Sequence, residues 1–97
     1  MSQLQSDIFI QYGQQIQTIT NYMFNVIQSH NQLEKIIRLL YTLSKFISYV
    51  SKVCKMENEY AKKFVIDCTN CMQDLLNSDD KTIKEIADQQ LVILKKL

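Results

Sequence analysis

Ninety-seven residues with one glycine, no proline and no tryptophan leave room for one small domain or a piece of a larger one. So few helix breakers, among so many Ile, Leu, Gln and Lys, predict an all-α chain. A formal net charge of +1 gives no general attraction for nucleic acid, and an odd cysteine count of three behind a start, MSQLQSDIF, that lacks a secretory pattern points to the reducing cytoplasm.

The first helix is predicted from about residue 6 to residue 28. Ile8, Tyr12, Ile16, Ile19, Met23 and Val26 or Ile27 recur at helical spacing, and Gly13 weakens the element near its start. Residues 8–33 carry no formal charge, which raises the question of a membrane span. Gln11, Gln14, Gln15, Gln17, Asn21, Asn25 and Gln28 interrupt the run, and a span needs about 20 predominantly apolar residues. The regular Ile and Tyr spacing favours a glutamine-dressed amphipathic helix over an aggregation-prone tract. Ser29-His30-Asn31 is the expected turn, with Asn31 and Glu34 resembling a capping box.

The second helix is predicted from about 32 to 77 without a break, which at 1.5 Å per residue makes about 70 Å. With Leu33, Leu40, Ile47, Cys54, Ala61, Cys68 and Leu75 at heptad position a, position d holds Ile36, Leu43, Val50, Glu57, Phe64 and Cys71. Position g adds Leu39, Phe46, Val53 and Tyr60. Such a wide stripe needs burial against at least two other helices, and on a chain this short it points to a second copy, a homodimer. The expected core seam is Leu40, Leu43, Ile47, Val50, Glu57, Tyr60, Ala61 and Phe64. Asn77-Ser78-Asp79-Asp80 reads as a helix end followed by a new N-cap, and a third helix follows from about 81 to 97. Residues 1–97 thus form one module, an antiparallel long-helix bundle of about three helices with a long central one.

Charge on the second helix is segregated. Lys35, Arg38, Lys45, Lys52, Lys55, Lys62 and Lys63 all fall at b, c or f, against Glu34, Glu57 and Glu59 only. Beyond Lys63 the sign reverses, with Asp67, Asp74, Asp79 and Asp80. Glu57 alone is charged in the seam, where a carboxylate is costly without a partner. Either a polar group from elsewhere meets it and fixes register, or it reaches round to solvent.

Residues 46–64, FISYVSKVCKMENEYAKKF, resemble the FCH segment that opens an F-BAR domain. Cys54 matches that family's small residue, Met56-Glu57 its apolar–Glu pair and Tyr60-Ala61-Lys62 its Tyr-Ala-Lys. Phe64 stands where Leu is usual, and Lys52-Val53 departs from the usual Glu-Arg. The resemblance implies that the chain holds the opening helices of a longer, crescent-shaped antiparallel dimer that binds anionic membranes. It assigns Glu57 to the helical core and makes Lys52, Lys55, Lys62 and Lys63 the lipid contacts, at about 1 kcal/mol per base near an anionic surface. It also implies a place on the cytosolic face of membranes, in endocytosis or cytoskeletal organisation, with endocytic or cytoskeletal proteins as partners. An ordinary solvated basic face explains the same lysines, and a coiled-coil scaffold that never touches lipid is the alternative function.

Cys68-Thr69-Asn70-Cys71 has the CxxC spacing of redox and zinc sites, but both cysteines fall on the seam and His30 is the only histidine. Buried apolar thiols are the expectation. No phosphate loop, metalloprotease motif or triad is present, so no catalytic, cofactor or metal residue is expected.

Overall fold

The computed structural model describes residues 8–29, 32–54 and 56–97. They form four α-helices: α1 (Ile8–Gln28), α2 (Leu33–Val53), α3 (Glu59–Leu75) and α4 (Lys81–Lys95). The all-α expectation holds, and the expected count of three helices is corrected to four, because the stretch read as one helix from 32 to 77 folds back on itself. The molecule measures 46 × 24 × 18 Å, too short for the straight helix of about 70 Å.

The break has local causes. Cys54 leaves the helix with φ −99° and ψ 142° while its N–H still donates to the Val50 carbonyl at 3.0 Å. Asn58 then takes extended angles and its Oδ1 accepts the Tyr60 N–H at 2.8 Å, an N-cap of the kind worth about 1 kcal/mol. Glu59 adds a carboxylate to the first turn of α3, where the helix dipole favours it. Glu57 therefore sits in the turn, exposed to solvent, and not in a buried seam. It needs no partner there.

The boundary before α4 follows the expected punctuation. Asp80 caps α4 through an N–H of Ile83 to Oδ1 at 3.0 Å. Gln32 is the N-cap of α2 and makes no side-chain cap bond; His30 and Asn31, expected in the turn and the capping box, lie outside the described residues.

The four helices pack into one bundle, with each end of α1 beside the corresponding end of α3. Phe9 near the start of α1 meets Phe46 and Phe64 with ring centroids 6.2 and 5.6 Å away, and Phe46 meets Phe64 edge-on at 5.2 Å. At the other end Gln28 of α1 reaches Asp74 of α3 at 3.4 Å. α4 packs closely against both α2 and α3, and α1 packs against α3 and less against α2. The heptad stripe is covered within this one chain: Leu40, Leu43, Ile47, Val50, Ala61 and Phe64 are all buried. Stripe width therefore no longer argues for a second copy. Tyr60, placed in the seam by its spacing, is 40 % exposed.

α1 approaches α3 through its only glycine. Tyr12 has non-helical angles (φ −128°, ψ 23°) that kink the helix just before Gly13. A Cβ on Gly13 would lie 2.6 Å from Cγ and 3.0 Å from Cβ of Tyr60. Alanine would gain about 1 kcal/mol of helix propensity, but Tyr60 could clear it only by turning its ring to another χ1 rotamer, with its Cβ held in place by the backbone, and overpacking of this kind costs about 1–3 kcal/mol. Gly13→Ala should lower the urea unfolding free energy by about 1 kcal/mol. In a Tyr60→Ala background the same change should be neutral or stabilising. A loss of equal size in both backgrounds would show that the contact does not set the helix spacing.

Candidate interaction groove

The bases assigned to a lipid face are redistributed by the turn. Lys52 lies in the last turn of α2, Lys62 and Lys63 in the first turns of α3, and Lys55 falls outside the described residues. All three described lysines are exposed at one end of the bundle. Lys63 pairs with Asp67 at 3.2 Å, leaving Lys52 and Lys62 without an ion pair among the described residues. Farther along α2, Arg38 pairs with Glu34 at 3.1 Å on an open surface, which contributes little stability.

The CxxC cysteines pack in the core. Burial pushes both thiols up, Cys71 to about 12 with Asp74 adding to the effect, and Cys68 farther, with Cys71 and Asp67 adding to it. Thiols held neutral in this way are poor nucleophiles and poor metal ligands. Among the described residues no group of His, Cys, Asp and Glu is arranged to hold a metal ion. Cys54, half-buried at the end of α2, is the accessible thiol.

A surface that sequence reasoning did not single out lies between α1 and α2, the loosest of the close helix pairs. An open groove of about 220 Å³ is walled by Ile16, Ile19, Thr20 and Met23 of α1 and by Thr42, Leu43 and Phe46 of α2. Its two hydroxyls are turned to their own helices: Thr20 Oγ1 donates to the Ile16 carbonyl at 2.9 Å, and Thr42 Oγ1 to that of Arg38 at 3.2 Å. Ile19 is 60 % exposed, and Phe46 is half-buried with Tyr49 stacked beside it at 6.3 Å. Ile16, Ile19 and Met23 stood in the apolar row of α1 and Phe46 in the g row of the heptad, while Thr20 and Thr42 stood in neither. The sequence signal for an apolar surface was present, but which flank stays uncovered depends on how α1 is placed.

The two rims differ. α1 has no charged residue, and its side of the groove is edged by Gln14, Gln15 and Thr18. Outside the α2 wall, Arg38, Lys45 and Lys52 recur every seven residues and form one ridge. No helix among the described residues is long and apolar enough to cross a membrane. Comparison with protein-family models, curated proteins and solved structures finds no match for this chain.

The thiol chemistry gives a direct check. At pH 8 a thiol reagent should modify Cys54 quickly, and Cys68 and Cys71 only as fast as the chain opens. Because the folded thiols bind protons more tightly than the ordinary value of 9.0, their contribution is complete below about pH 9 and is lost as the pH rises above it. The thermal midpoint should therefore fall on the alkaline side, and the fall should disappear in a Cys68→Ala/Cys71→Ala variant. Labelling of all three thiols at one fast rate in the folded protein would contradict their burial.

Proposed function

We propose that the chain is a non-catalytic helical interaction module that receives an apolar helix face of a protein partner in the α1–α2 groove. The observation that carries this reading is the groove: exposed Ile19 and half-buried Ile16 and Phe46 over the buried Met23 and Leu43, with the wall hydroxyls already satisfied. Burying such a surface is favourable by about 25 cal/mol per Å², and grooves between helices are a common seat for an amphipathic helix. The buried seam residues Leu40, Ile47 and Val50 hold α2 in place, and Leu43 also lines the groove.

The test is a displayed library of 18-residue amphipathic helices panned on the full chain, with Ile19→Asp as the counter-target. Ile19 is exposed, so this variant should fold, which circular dichroism checks. Enriched sequences should bind the variant at least tenfold more weakly. Equal recovery on both proteins would remove the groove reading.

A second reading rests on Lys52 and Lys62, exposed and without ion pairs at one end of the bundle. There the module would rest on an anionic bilayer, as the F-BAR resemblance implies. Salt-sensitive sedimentation with phosphatidylserine vesicles, abolished by Lys52→Glu/Lys62→Glu, is the result it requires. Sedimentation unchanged by that double reversal would end it.

A further inference from the structure

The groove has sides of unequal charge. The α2 flank carries Lys35, Arg38, Lys45 and Lys52 against Glu34 alone, and Glu34 is already engaged by Arg38. The α1 flank carries amides, hydroxyls and the exposed Tyr22, and no charge. These two helices form both rims. Lys45 and Lys52 make no ion pair among the described residues and stand two helical turns apart, about 10 Å, on one row of α2: Lys45 falls within the Thr42–Phe46 stretch of the wall and Lys52 beyond it, in the last turn of the helix.

We infer, building on the groove reading above, that the partner is an acidic amphipathic helix whose apolar stripe fills the α1–α2 groove. Carboxylates along one flank face Lys45 and Lys52, and uncharged polar residues along the other face the glutamines of α1. Two anionic side chains seven residues apart match the spacing of the two lysines. Complementary charge of this kind sets orientation and association rate more than affinity, while the apolar contacts hold the complex. A second copy of this chain is a poorer occupant. Its helix α1 offers no carboxylate, and a copy of α2 would set one basic ridge against another; Asp67 and Asp74 on α3, and Glu85 and Asp88 on α4, belong to helices whose apolar stripes are already buried in the bundle.

Two synthetic 18-residue helices sharing one leucine stripe make the probe. One has Glu at heptad spacing on one flank and Gln on the other, and the second has Lys in place of each Glu. Fluorescence polarisation with the full chain should show the Glu peptide binding at least tenfold more tightly at low salt. The margin should shrink at physiological salt and invert for Lys45→Glu/Lys52→Glu, while Ile19→Asp should weaken both peptides. Equal affinity for the two peptides, with the dependence on Ile19 kept, would overturn the acidic partner and leave the groove reading standing. Absence of binding to either peptide by the folded chain would overturn both. Displacement of the Glu peptide by phosphatidylserine vesicles but not by neutral ones would assign the ridge to a membrane, and a dimer in light scattering that Ile19→Asp dissolves would assign the groove to a second copy. Either result overturns the inference.

Discussion

Burial of one apolar stripe governs this structure. Along residues 33–75 the stripe supplies Ile36, Leu40, Leu43, Ile47 and Val50, then Ala61, Phe64, Cys68, Cys71, Met72 and Leu75, all buried. At roughly 2 kcal/mol for each large side chain the gross gain is on the order of 15–20 kcal/mol. A straight helix in a single chain would leave much of that surface in water, because α1 and α4, at 21 and 15 residues, are too short to line it. Turning the chain at residues 54–58 sacrifices a few helical hydrogen bonds at about 1 kcal/mol each, and the Asn58 cap recovers part of that. Burial wins by a wide margin.

The turn then decides where α1 can go. It brings Phe46 and Phe64 together, and Phe9 completes a three-ring cluster that ties the start of α1 to the turn end of the bundle. Four residues on, Gly13 lets α1 approach α3 at Tyr60. The cluster holds the start of α1 against both α2 and α3, the Gly13–Tyr60 contact draws the next turn towards α3, and α1 packs less closely on α2.

Much of this was legible in the residues. The heptad phase is correct on both sides of the turn: a and d positions from Ile36 to Val50 and again from Ala61 to Leu75 are buried. The start of α4 at Asp80 and the end of α1 before Ser29 were legible because these side chains act locally, Asp80 on the Ile83 N–H and Ser29 on the Val26 carbonyl. The break itself was not, since no proline or glycine marks it and the spacing stays in phase across it. Its one local signal was Asn58 followed by Glu59, a good helix start that also reads as two ordinary helical residues. Glu57 was the stronger clue. A carboxylate at a seam position is more cheaply explained by a seam that stops than by a buried partner. The groove could not be read from spacing because Ile19 and Phe46 lie on the shoulders of their stripes. A shoulder is covered or bare according to the helix beside it.

Closing the groove would require α1 to swing towards α2. That motion would pull Phe9 from Phe64 and Gly13 from Tyr60, exchanging well-packed contacts at one end for looser ones along the middle. Nor would a rotation of α1 help. Thr20, Met23, Phe24 and Ile27 already point into the core, and turning Ile19 inward would bring Phe24 out on the far side. The opening is therefore a property of the packed end of the bundle and not of a missing side chain. Enlarging one wall residue would fill volume without drawing the helices together. What can remove the exposed apolar surface at no cost to the aromatic cluster is a third helix laid between the first two, and the lysine ridge on one rim sets the sign of the charge such a helix must carry along that side.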